Sequence, residues 1–248
     1  MATMKLAKTE SADRTSGPGR RASSARLPAW APRLRRAAGL SRAPLAIVKI
    51  GGSHYNGPHI RDWLAAIAAE AGAMVIVPGG GPFANAVRSA QASMGYDDGA
   101  AHAMALMAMA QFGRALQSLN PTLRLAASRT AISRALKDGK VPVWSPEPMT
   151  RAAALPETWA LTSDSLAAWL AGELNAIHLL LVKHGHFEAA AVGVHDLVAR
   201  GVLDSMFPRY LQESGVRAWL AAPTDSARLA EGLRHPIFPE IVASDETT

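Results

Sequence analysis

Ala46–Ser53, AIVKIGGS, and its echo Met74–Asn85, MVIVPGGGPFAN, decide how the chain is read. Each is a short run rich in Val and Ile that breaks into glycines, the pattern of a buried parallel strand opening into a loop where backbone comes close to something. Glycine has no Cβ, so successive N–H groups can turn toward an anion, and the helix expected after Pro82 adds its positive N-terminal end. Lys49 brings a full charge to the carboxyl end of its strand, where open α/β sheets bind ligands. A lysine in an otherwise buried strand costs desolvation unless an anion compensates it. The spacing predicts a phosphate site at Lys49, Gly51, Gly52, Gly79, Gly80 and Gly81.

Outward from these loops, strands and helices alternate. Ile60, Leu64, Ile67 and Ala71 recur at helical spacing and Gly72 stops them, so the two glycine strands bracket a helix in a βαβ unit. Helices are predicted over 83–94 and 100–119, the second rich in Ala and Met and apolar almost all round, the character of a core or subunit-interface helix. A strand at 123–127, a helix at 129–137 and a strand at 141–145 follow, then a Pro-punctuated link over 146–156. Thr162-Ser163-Asp164 precedes an apolar-periodic run and reads as a helix N-terminus, with Asp164 favouring the dipole. Beyond it come a strand at 177–182, a helix at 204–214, a strand at 216–221 and a helix at 225–234. This alternation predicts an α/β fold, a three-layer αβα sandwich around a mainly parallel open sheet.

Composition narrows the class. The chain has 248 residues, 49% of them hydrophobic, enough for a sizeable core, and no cysteine, which excludes thiolate catalysis and disulfides. No long apolar run suggests a membrane span or a secretory leader, and a cytoplasmic location is the expectation. The net charge of +6 is concentrated in residues 1–44, which hold ten Lys and Arg against Glu10 and Asp13. With scattered Pro, Gly and Ser, that segment reads as a basic disordered extension, and nucleic-acid binding would rest on it alone. His184 and His186 lack acidic companions, so no residue is assigned to a protein-held metal site.

The motifs VKIGGS, VPGGGPFAN and TWALTSDSLAAWLAGELNA, in this order, resemble the amino acid kinase family, which includes acetylglutamate, aspartate and uridylate kinases. PGGGPFAN, GAAHAMAL, TWALTSDSL and the late Asp204-Ser205-Met206-Phe207-Pro208 are most similar to its aminomethylfuran phosphate kinases of methanofuran biosynthesis. A dinucleotide-binding fold is excluded, because Gly79-Gly80-Gly81-Pro82 is not GxGxxG. The resemblance implies phosphoryl transfer from ATP with magnesium to a small molecule, by an oligomeric enzyme. It implies an acceptor lobe over about 45–160, a nucleotide lobe over about 161–235 and a tail from 236. It also implies roles: Lys49 as phosphate lysine, Asp164 as the carboxylate that orients the cations and reaches the metal directly or through water, and Ser53, Asn85, His102, Thr162 and Ser163 around the substrate.

Two departures from the family pattern stand out. After its strand the family continues with Thr/Ser-Asp-Val and a glycine at the nucleotide site, whereas this chain has Val182-Lys183-His184-Gly185. Where relatives place a second lysine near Phe207-Pro208, this chain has Arg209. Lys183 and Arg209 are therefore the candidate nucleotide cations. A non-catalytic ligand-binding or structural partner in the same pathway is the alternative.

Overall fold

The computed structural model describes residues 44–185, 187, 190–235 and 237–242. The basic extension, His186 and residues 243–248 lie outside the described residues. In chain order the elements are β1 (Ala46–Ile50), a 3-10 turn (Gly52–Asn56), α1 (Ile60–Ala69), β2 (Met74–Pro78), α2 (Gly81–Met94), α3 (Asp98–Leu119), β3 (Leu123–Ala126), α4 (Arg129–Lys137) and β4 (Val141–Trp144). There follow α5 (Glu147–Ala152), α6 (Ser163–Leu174), β5 (His178–Val182), β6 (Ala191–Gly193), α7 (Val194–Ala199), α8 (Phe207–Ser214), β7 (Arg217–Ala221), a second 3-10 turn (Pro223–Arg228), α9 (Leu229–Gly232) and β8 (Glu240–Val242).

One eight-stranded sheet runs β3-β4-β2-β1-β5-β7-β8-β6. It is parallel from β3 through β7; β8 pairs antiparallel with β7 and parallel with β6. β1 lies between β2 and β5, so the chain first builds one side of the sheet, with β2, β4 and the edge strand β3, and then the other from β5. That reversal makes the carboxyl ends of β1, β2 and β5 a topological switch point, where such sheets bind ligands.

Alternation along β1 sorts the core into two faces. Val48 and Ile50 pack with Trp63, Leu64 and Ile67 of α1, while Ile47 packs with Leu166, Ala167 and Leu170 of α6. Each fully buried large apolar side chain here stabilises by roughly 1.5–3 kcal/mol relative to exposure. Lys49 has the parity of Ile47 and so faces α6. Local signals set the helix ends: Asp97 and Ser128 side chains accept from Ala100 N and Ala131 N, and Gly95 ends α2 at φ +73°.

Several boundaries differ from the sequence reading. The 146–156 link contains α5, and α8 begins at Phe207 rather than Asp204, because Asp204 is used elsewhere. The expected helix at 225–234 is a 3-10 turn followed by the single turn α9. The tail expected from 236 is corrected: Phe238 is buried and Glu240–Val242 is a paired strand. α3 is buried along one face only, at Leu106, Met109, Phe112 and Leu116, and exposes Met104 and Met107 on the other. Among the described residues, no helix is long and apolar enough to cross a membrane.

Candidate active site

At the switch point, three charged side chains converge. Lys49 Nζ lies 2.8 Å from Asp164 Oδ1, and Lys183 Nζ lies 2.6 Å from Asp164 Oδ2 and 2.5 Å from the Val202 carbonyl oxygen. Lys49 comes from β1, Lys183 follows β5, and Asp164 stands in the first turn of α6, where its charge also suits the helix dipole. Lys49 and Asp164 are each 4% exposed. Burial lowers the Lys49 pKa from 10.5 to about 8, more than Asp164 raises it. Burial also opposes the Asp164 charge, but Lys49 and Lys183 together outweigh it and hold its carboxyl below the usual range. Oδ1 is buried against the Lys49 ammonium, and a carboxylate oxygen paired with one cation keeps a second lone pair.

The two glycine loops interlock beside this triad. Gly79 N donates to Ile50 O at 2.8 Å, and the backbones approach so closely that a Cβ on Gly52 would lie 2.0 Å from Gly81 N, and one on Gly79 2.3 Å from Gly52 N. Gly81 has φ +57°, the left-handed region, as it starts α2. Side chains are thus excluded, leaving backbone N–H groups and the α2 N-terminus to face a ligand. A cavity of about 470 Å³ opens from this cradle. Gly52, Ser53, Gly80, Gly81, Asn85, His102, Thr162 and Ser163 all line it, whereas Gly51 and Gly79, also expected from sequence, do not. Burial lowers the His102 pKa, although its Nδ1 lies 3.3 Å from the Thr158 carbonyl oxygen.

Other residues fall differently. Arg209 does not join the site: it lies exposed on α8, where Nε donates to Glu213 Oε1 at 2.8 Å. Its helix position turns the guanidinium to the surface, and Lys183 supplies the second cation beside Asp164 instead. Thr162 does precede α6, but its side chain does not cap the helix. Asp204 Oδ2 accepts from Thr162 N at 3.0 Å and from Ser165 N at 3.1 Å, and the Ser165 hydroxyl donates to Oδ1. Sequence reading missed this cap, for nothing local ties position 204 to 162. His184 stacks on His54 with centroids 4.1 Å apart at the edge of a second cavity of about 350 Å³, on the α1 face of the sheet. Burial, ahead of His184, lowers the His54 pKa from 6.5 to about 4.

Interlocked glycine loops beside a buried Lys49–Asp164 pair and the part-buried Lys183 give this α/β protein a concentrated cationic pocket edge at its switch point. The family is shown by sequence: the amino acid kinase family profile matches residues 44–185, and the chain belongs to that family, as a small-molecule kinase. The chain is 24% identical over 214 residues to (5-(aminomethyl)furan-3-yl)methyl phosphate kinase of Methanocaldococcus jannaschii, covering 81% of this chain and 99% of the relative. Its fold is similar to uridylate kinase from Archaeoglobus fulgidus, with TM-score 0.60 and 16% identity, over 80% of this chain and 100% of that one. It is similar also to UMP kinase from Ureaplasma parvum, with TM-score 0.60 and 17% identity, over 81% of this chain and 99% of that one. Aspartate kinase from Synechocystis matches with TM-score 0.56 and 14% identity, over 82% of this chain but 40% of that one.

Proposed function

We propose that the chain transfers a phosphoryl group from ATP to a phosphate monoester of a small aminomethylfuran, giving a diphosphate ester in the making of a methanofuran-type cofactor. The Lys49–Asp164–Lys183 triad beside the glycine cradle and its cavity carries this reading; the substrate class is supported by the methanogen relative.

In this reading the half-sheet β3-β4-β2 with α2 and α3 forms the acceptor lobe, and β5-β7-β8-β6 the reduced donor lobe. Bound with magnesium, the nucleotide supplies the phosphoryl group, and the metal neutralises part of its charge. Lys49 places its ammonium against the oxygens that gain charge, and the amides of Gly52, Gly80 and Gly81 donate to those oxygens without reorganising, while the Gly79 amide stays bound to Ile50 O. Asp164 holds both ammonium groups in place, and its Oδ1 fits a metal or metal-bound water. Ser53, Asn85, His102, Thr162 and Ser163 orient the acceptor. An acceptor oxygen attacks the terminal phosphorus, and the bond to the ADP oxygen breaks. The exposed Met104 and Met107 on α3 support a homo-oligomer as well.

The test is ADP release and phosphorus NMR with ATP, magnesium and aminomethylfuran phosphate, set against UMP and aspartate. Transfer to the furan phosphate alone supports the assignment, and transfer only to another acceptor replaces the substrate class. One observation favours a non-catalytic partner: Lys183 is committed to Asp164 and the Val202 carbonyl rather than left open to a nucleotide. Absence of measurable ATP affinity, with and without magnesium, would establish that second reading.

A further inference from the structure

One cation in the large cavity has no role so far. Arg88 lies on α2, seven residues past Gly81, and its guanidinium carbon sits 4.2 Å from the centroid of the Trp159 ring. Among the described residues it forms no ion pair and donates no hydrogen bond, whereas Arg200, Arg209, Arg217 and Arg228 are each tied to a carboxylate. The ring beneath it is pinned. Trp159 Nε1 donates to Gln91 Oε1 at 2.7 Å, and Gln91 Nε2 donates to Asp98 Oδ1 at 2.9 Å and to Tyr96 O at 3.2 Å. The Tyr96 hydroxyl in turn donates to Val87 O at 2.5 Å, closing the network onto α2. A guanidinium held over an indole face by cation–π attraction, with no acceptor of its own, has N–H donors free for bidentate contact with phosphate.

Arg88 and Trp159 both line the cavity that opens from the glycine cradle. Seven residues of helix rise about 10 Å, and helical side chains lean toward the N-terminus, so a long side chain at this position is within reach of a ligand that extends from the cradle. Leu161, Leu166 and Met109 give that cavity an apolar wall suited to a compact ring.

We propose that Arg88, held over the Trp159 ring, is the specificity-determining residue that selects a phosphorylated ring compound over the corresponding alcohol. This rests on reading the cavity as the acceptor side. Arg88 neutralises the acceptor phosphate from the α2 side while the glycine amides hold it from the other. A neutral alcohol would leave the guanidinium without its anion and forfeit most of its binding.

Calorimetry of the full chain with furan-3-ylmethyl phosphate and furan-3-ylmethanol tests this. Wild type binds the ester on the order of 100-fold more tightly than the alcohol, and Arg88→Gln loses most of that preference while its alcohol and ATP affinities hold. Arg88→Lys recovers only part, since an ammonium does not bind phosphate in bidentate fashion. Trp159→Phe keeps a ring face but loses the bond to Gln91, and raises KM for the ester with little change in kcat. Equal binding of ester and alcohol by wild type, or wild-type ester affinity in Arg88→Gln, overturns the inference. Arg88-dependent ester binding without phosphoryl transfer sustains it while removing the kinase chemistry. Transfer at wild-type KM by Arg88→Gln does the reverse.

Discussion

Asp204 accepts two hydrogen bonds from Thr162, 42 residues away in sequence: its Oδ2 takes the backbone amide at 3.0 Å and the hydroxyl at 2.7 Å. With Ser165 N on the same oxygen and the Ser165 hydroxyl on Oδ1, one carboxylate closes the start of α6. α6 carries Asp164, so a residue outside the triad fixes where the triad's anion stands.

Asp204→Ala removes that closure and strands amides in a part-buried place. The expected loss is about 2–4 kcal/mol, combining a lost cap with charge-assisted bonds, read as a lower denaturant midpoint at unchanged slope. Asp204→Asn keeps an oxygen for the amides and costs less. Equal stability of all three proteins would remove Asp204 from this role.

Asp164→Asn tests the triad itself. The amide keeps the shape but leaves two ammonium groups without a counter-charge, in a place where breaking a buried pair costs about 3–5 kcal/mol. Transfer is expected to fall by at least about two orders of magnitude, roughly 3 kcal/mol of transition-state stabilisation. Steady-state kinetics beside a melting curve checks both. A fully active variant would show that the triad is structural only.

The alkaline side of the pH profile belongs to Lys49. Its pKa in the fold is about 8, below the usual 10.5, so the ammonium is lost as pH rises through 8 and kcat/KM falls along a limb centred there. Stability moves oppositely: between about 8 and 10.5 the unfolded chain holds the extra proton, and Lys49 makes folding more favourable as pH rises. Asp164→Asn removes an attraction that raises this pKa, so its residual limb moves to lower pH. A wild-type profile flat to pH 10 would contradict the assignment.

Acid acts through His54. Its pKa falls from 6.5 to about 4 on folding, so the stability contributed by keeping it neutral is present above pH 6.5 and is lost as pH drops toward 4. That contribution reaches at most about 3 kcal/mol. His54→Phe preserves a stacking face for His184 and flattens stability against pH in this window. Parallel curves for the two proteins would place the acid sensitivity elsewhere.

Gly52→Ala is expected to abolish transfer, since the added carbon meets the Gly81 amide nitrogen at 2.0 Å and must push one loop off the other. Gly95→Ala is the control: nothing lies within 4 Å of its Cβ, and with φ +73° it costs about 1 kcal/mol of stability but no activity. Activity in Gly52→Ala would mean that the loops need not touch.

The centre of the sheet was readable because β1 and β2 are unbroken apolar runs that stop at glycine, and because α2, α3 and α4 carry local start and stop signals. Lys49 was readable for the same reason, as the one charge in such a run. β6 and β8 were not, being three residues each, AVG and EIV, whose pairing joins positions far apart in the chain. Arg209 shows the limit for a side chain: the sequence placed a charge near Phe207-Pro208, but helix phase turned it to the surface. Arg88 and Trp159 were missed because their stacking joins α2 to the loop before α6, and neither residue type is unusual alone.

Among the described residues, β6 finds its ladder partner only in β8, and β8 also pairs with β7. During synthesis, the 190s therefore leave the ribosome with no strand to join until Glu240–Val242 has followed. The β1–β2–β5 centre that bears Lys49 needs no such wait. The protein can thus form the centre that holds Lys49, Asp164 and Lys183 early and seal its far edge last, so a translation product interrupted after β7 would hold the whole triad beside an open, aggregation-prone β7 edge.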